Sequence, residues 1–243
     1  MKKIKRASEL LWLFGVIFVA LGVAICSKAD LGVSMIAAPT FIVYEAIAHL
    51  WSDFSLGVTE YLLQGVILIL LCLVIRRFRF RYLFAFAVAV IYGYVLNFFV
   101  WALGDVPFTA VWLRWIMLIV GNCITAFGVA CFFRTYMPLQ VHELFVAELV
   151  DRFRLKLNKT KAVFDISLLV VSVLLALILF GDAPTFDWST IGRRSFHSLG
   201  LGTLVTTAMN SPVIALMGKL IDRCFDPTPR FPKVEAWLRK NDA

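Results

Sequence analysis

Six charge-poor apolar runs divide this chain: Leu10–Ser27, Leu56–Ile75, Tyr82–Leu103, Trp112–Phe133, Ala162–Phe180 and Phe196–Ile221. Each approaches or exceeds the roughly 20 residues an α-helix needs to cross ~30 Å of hydrocarbon. Lipid offers no hydrogen bonds to the backbone, so only helices or a closed barrel can cross it. A barrel would alternate polar and apolar residues in segments of ~10, and no such segments occur. The expected fold is therefore an all-α membrane protein with six transmembrane helices. Composition agrees, because 61% of the 243 residues are hydrophobic and the mean hydropathy is +0.86. A soluble domain of that make-up would lack the polar surface to cover its core.

Two further stretches are apolar or amphipathic but too short or too broken to span. Ser34–Trp51 contains Pro39, Glu45 and His49, and Leu139–Phe153 lies between the fourth and fifth runs. The Lys and Arg residues decide whether these cross. If both stay on one side, the N-terminus, the Arg76–Arg81 loop, the Arg134–Lys161 region and the C-terminal segment share a face with 20 of the 24 cations. Only Lys28, Arg114, Arg193 and Arg194 then lie opposite. If Ser34–Trp51 crossed, RRFRFR would face outward. Six crossings with both termini cytoplasmic is the reading this favours. The net charge of +8 is then orientation charge, and no basic stretch sits in a soluble domain to bind nucleic acid. The basic start, Met1 to Arg6, mimics a signal peptide, but the following run is too long for one, so it reads as a retained first span.

One pattern occurs twice. GVIFVALGVAICSKADLG begins at Gly15, and GNCITAFGVACFFRTYMP begins at Gly121. At this offset Gly15 matches Gly121, Gly22 matches Gly128, and Lys28 matches Arg134. Three spans separate the two starts, so the copies should run in opposite directions. Glu60 and Asp165 match at a similar offset, and so do Asn97 and Asn210 at a slightly longer one. Two inverted three-helix repeats are expected, each with a short extra helix after its first span. Repeat one covers about 8–104 and repeat two about 112–222. Together they form a single transmembrane domain, 1–225, followed by a cytoplasmic tail, 226–243. Inverted repeats of this kind recur in small-solute transporters, with the site where the halves meet.

Two segments carry a resemblance. Ala29, Leu31, Gly32 and Ser34 form an early A-x-LG-x-S, and Gly200, Gly202, Thr203, Leu204 and Pro212 form a late G-x-GT-L…P. These resemble the YczE/YyaS/YitT-like family of bacterial integral membrane proteins. Family members often carry Pro after the Ser and Gly before the late Pro, where this chain has Met35 and Ser211. The resemblance implies a multi-pass protein of the bacterial inner membrane.

Polar groups at membrane depth are costly and usually functional. The substrate-binding candidates are Lys28, Asp30 and Ser34 at the end of the first span, and Arg134, Gln140 and His142 at the equivalent turn. Thr206 and Asn210 on the last span and Asn97 on the third would add neutral hydrogen bonds. Ser34 is placed to N-cap the first short helix, and Asn97 to face Asn210 across the pseudo-axis. His142 and Glu143 point ~100° apart on a helix, and a solvated face explains them most simply. Pro212 should free the Ala208 carbonyl and kink the last span. Arg193, Arg194 and His197 would lie at the outer entrance.

Catalytic and metal signatures are absent from the sequence. His142-Glu143 continues as Leu-Phe-Val, which excludes H-E-x-x-H, and neither G-x-S-x-G nor a nucleotide loop occurs. The five cysteines lack C-x-x-C spacing. The expected function is a transporter or channel-like protein for a small anionic or zwitterionic solute, with no cofactor and no enzymatic step. The alternative is a membrane-embedded ligand- or lipid-binding subunit, or an accessory protein, acting with a partner complex. Membrane lipid and a small-molecule solute are the expected partners, and a homodimer stays open.

Overall fold

The computed structural model describes residues 6–48, 51, 55–104, 110–181 and 199–240. These residues form α1 (Ser8–Lys28), α2 (Ala38–Ala48), α3 (Leu56–Ile75), α4 (Arg81–Ala102), α5 (Val111–Phe132), α6 (Val141–Phe153), α7 (Leu157–Phe180), α8 (Leu201–Cys224) and α9 (Pro232–Lys240). The helices α1, α3, α4, α5, α7 and α8 are long and apolar enough to cross a membrane. The chain is an all-α membrane protein. Side chains such as Ile69, Leu73, Trp101 and Ile178 project outward, 63–78% exposed, as a lipid-facing surface requires.

The expected spans agree with these helices to within a few residues, with one informative exception. The fifth begins at Leu157 rather than Ala162, so Lys161 belongs to a spanning helix and not to a loop. The expected start of the last span, together with Arg193, Arg194 and His197, lies outside the described residues. Ser34–Trp51 and Leu139–Phe153 yield the short helices α2 and α6.

The closest helix packing joins α1 to α5. A Cβ on Gly22 would lie 2.6 Å from both the Gly121 carbonyl oxygen and the Thr125 nitrogen. A Cβ on Gly128 would lie 2.7 Å from the Val19 nitrogen and 3.1 Å from the Gly15 carbonyl. Gly22 thus meets Gly121 while Gly15 meets Gly128, so the two helices run antiparallel. These are the four glycines that correspond between the two copies of the sequence pattern. Small residues allow such backbone approach, which is what holds helices together in lipid. The seam extends outward through Trp12 Nε1, which donates to the Pro138 carbonyl at 2.8 Å.

Most of the remaining contacts are reciprocal, α4 with α6 being the exception. α2 packs on α7 as α6 packs on α3, α4 lies on α1 as α8 lies on α5, and α3–α4 answers α7–α8. The two motif segments also touch. The Gly202 N–H donates to the Leu31 carbonyl at 2.9 Å. Gly32 has φ +100°, and a Cβ there would strike the Thr203 hydroxyl. Pro212 does not break α8, which runs through it as one helix to Cys224. The C-terminal segment is tied back to α1: the Glu9 carboxylate accepts the Arg230 N–H at 2.9 Å, the Phe231 N–H at 3.0 Å and the Tyr136 hydroxyl at 2.6 Å.

The Gly22→Ala substitution should lower stability by about 1–3 kcal/mol, because the added methyl meets backbone on the partner helix. Gly65→Ala should stay within about 1 kcal/mol of the parent, since its nearest neighbour is the Phe86 ring at 3.3 Å and alanine favours helix. Thermal unfolding of the two variants in detergent makes the comparison.

Candidate functional site

Because α1 and α5 press together, the segments that follow them turn inward, and α2 and α6 both begin inside the protein. Ser34 precedes α2, and its carbonyl accepts the N–H groups of Ala37 and Ala38 at 2.9 Å each. Its hydroxyl does not cap the helix and has no partner. Gln140 occupies the N-cap position of α6, again without a side-chain cap bond. The positive ends of two helix dipoles are thereby brought to the core.

Between them lies a small cavity of about 10 Å³, close to the space of one water molecule. Ser34, Glu60, Gln140, His142 and Glu143 line it, with Tyr92 and Thr125 contributing from α4 and α5. The first five are at most 6% exposed. Several of their polar atoms have no partner: Ser34 Oγ, Gln140 Oε1, both ring nitrogens of His142, and Glu143 Oε2. Buried polar atoms are normally satisfied, so this concentration at one place makes the cavity the candidate site.

Each half of the sequence braces one carboxylate, of which Glu60 lines the cavity and Asp165 does not. Glu60 accepts hydrogen bonds from the Thr40 hydroxyl and from Gln64 Nε2 at 3.0 Å. Gln64 in turn accepts the Val141 N–H at 3.3 Å, which ties α3 to the start of α6. In the other half, Lys161 Nζ lies 3.0 Å from Asp165 Oδ1 and 4.0 Å from Glu143 Oε1. Asn210 Nδ2 donates to the second Asp165 oxygen at 2.9 Å. Lys161 is 2% exposed. Its ammonium also sits 5.6 Å from the centre of the Phe164 ring, which stacks on Phe145 and meets His142 edge-on. Around the cavity and the adjoining ion pair, the described residues thus place three carboxylates (Glu60, Glu143, Asp165) and one ammonium, while a fourth buried carboxylate, Glu148, pairs with Arg79. Among the described residues, no cluster of His, Cys, Asp and Glu could hold a metal ion.

Three candidates from the sequence, Ser34, Gln140 and His142, come together here. The others do not line the cavity. Asp30 pairs with Arg114 Nη1 at 3.2 Å, and Lys28 is half-buried in the last turn of α1. Arg134 forms a bidentate pair with Asp222 at 2.6 and 2.8 Å, clamping the end of α5 to the end of α8. Asn97 Oδ1 accepts the Gly57 N–H at 2.9 Å, and its amide donates to Ser55 at 3.0 Å. It thus closes the start of α3 and makes no contact with Asn210. Asn210 belongs to the ionic cluster, and the Thr206 hydroxyl bonds back to the Thr203 carbonyl at 3.0 Å. The solvated face expected for His142 and Glu143 is also overturned, since both are buried at the inner start of α6.

The family model that matches the chain covers residues 4–219. The chain belongs to DUF6198, a family of unknown function. This DUF6198 match carries no link to the YczE/YyaS/YitT-like family. Searches of curated proteins and of solved structures gave no match.

Lys161→Met should cost about 3–5 kcal/mol, because it leaves Asp165 and Glu143 buried without their countercharge. Adding Asp165→Asn should recover part of that loss. Apparent Tm values of the single and double variants in detergent test this, and additive losses would mean that the ion pair is not the coupling.

Proposed function

We propose that this chain is a transporter or channel-like protein of the bacterial inner membrane for a small solute, with both termini cytoplasmic. The observation that carries this reading is the central cavity, where two inward-starting helices and a set of partnerless buried polar atoms converge. A protein that only packed would satisfy those atoms with neighbouring helices. A solute passing through mid-membrane needs them unsatisfied until it arrives. The antiparallel glycine seam and the reciprocal helix contacts support two inverted three-helix repeats, an arrangement in which one half rocks against the other around a midplane site. The distribution of Lys and Arg supports the sidedness. The resemblance of the two touching motif segments to the YczE/YyaS/YitT-like family supports the bacterial setting.

The chemistry of the cavity favours a zwitterion over a simple anion. Helix N-termini, the Ser34 hydroxyl and the His142 ring suit a carboxylate, whereas the partnerless Gln140 Oε1 accepts and suits a donor group. The excess of buried carboxylates over cations suits a positive group, because uncompensated charge at this depth is expensive. A small zwitterion answers both demands at once. The cavity is close to the size of one water in the present arrangement, so this is a closed state that must open to admit its solute.

Full-length protein in detergent should be thermally stabilised by one or more members of a panel of small zwitterions, and proteoliposomes should take up the same compound. Glu143→Gln and His142→Ala should abolish the shift and the uptake. Asn97→Ala, which only loosens the start of α3, should lower the Tm but keep the shift. A shift that is equal in the parent and in E143Q would contradict this placement of the site.

A further inference from the structure

The faces of α6 and α7 that turn away from the ionic cluster form an open groove of about 680 Å³. Its walls are apolar, formed chiefly by Phe145, Val163 and Phe164. Its mouth, at the turn between the helices, carries Arg154, Lys156 and Lys159. Among the described residues, no carboxylate contributes to its lining. We propose that this groove binds an anionic phospholipid, with the phosphate held by the three basic residues and one acyl chain laid along Val163 and Phe164.

Three observations fix the occupant. The first is charge: three cations gathered at one end of an apolar wall complement a headgroup that carries net negative charge, and each such residue near an anionic surface favours binding. The second is depth. The basic residues flank the start of α7, a spanning helix, so they lie at headgroup level. From Lys156 the wall continues to Ser167, and eleven residues of helix rise about 16 Å. That is close to half the ~30 Å hydrocarbon thickness, the length available to one leaflet. A peptide or soluble partner has no reason to match that dimension. The third is exposure. Val163 is 64% exposed and Leu155 is 48% exposed, apolar surface that acyl chains cover without cost. The inner wall is Phe164, the ring that shields Lys161 and His142 from the groove. A lipid seated there packs directly against the cover of the ionic cluster. The site does not depend on the chain being a transporter.

Native mass spectrometry of the full chain, titrated with phosphatidylglycerol or phosphatidylcholine of identical acyl chains, tests this. Phosphatidylglycerol should bind at least about ten-fold more tightly, and the K156Q/K159Q variant should lose about ten-fold of that affinity without changing phosphatidylcholine binding. Val163→Trp, which fills the groove, should weaken phosphatidylglycerol binding while leaving the basic residues in place. Equal affinity for the two lipids, or parental affinity in both variants, would overturn the proposal. So would complete displacement of the lipid by inorganic phosphate, which would mean that the charges hold an ion and the groove holds nothing.

Discussion

The close approach of α1 and α5 is the contact on which the rest of this structure depends. Lipid gives apolar helices no reason to exclude one another's solvent, so association rests on packing and on hydrogen bonds. Gly22 against Gly121 and Gly15 against Gly128 let two backbones touch along an antiparallel seam. With the pair that close, the segments after each helix fold into the body of the protein. α2 and α6 then start in the interior, where their unpaired N–H groups and dipoles would be a liability. Glu60, Gln64, Ser34, Gln140, His142 and Glu143 gather around those ends. The polar core is thus a consequence of the glycine seam.

The two halves treat the same problem differently. Glu60 is held by neutral donors from Thr40 and Gln64, whereas Asp165 is held by a full charge, Lys161, and by Asn210. Lys161 also reaches toward Glu143 across the α6–α7 contact. Glu60 lines the cavity itself, whereas Asp165 and Lys161 do not and approach it only through Glu143. That difference in charge around Glu60 and Glu143 is the physical basis for proposing a zwitterion.

Much of the fold was legible from hydropathy alone, because six uninterrupted apolar runs leave the backbone little choice. The repeated glycine pattern located the central seam, since the four glycines shared by its two copies are those at which α1 and α5 touch. The site was only partly legible. Ser34, Gln140 and His142 were found from their position after the first span of each half. Lys28, Asp30 and Arg134 share that neighbourhood in sequence, but Asp30 and Arg134 pair with Arg114 and Asp222 away from the cavity. Lys161 escaped notice because it immediately precedes the apolar run Ala162–Phe180 and so reads as loop charge, although the helix begins at Leu157. Its burial depends on Asp165 one turn later and on Glu143 from another helix, and only the second partner is invisible to local pattern. The Glu60–Asp165 match was the available signal, and it marked two carboxylates that proved to be 3% and 1% exposed.

The central claim is that the cavity between the short helices opens to water. S34C and Q140C, each made in an otherwise cysteine-free chain in native membranes, can be challenged with a small, hydrophilic methanethiosulfonate reagent. The account predicts that both are modified, while V170C on the lipid-facing side of α7 stays inert. Modification of neither S34C nor Q140C, under conditions that label a loop cysteine fully, would show a permanently dry core and contradict it.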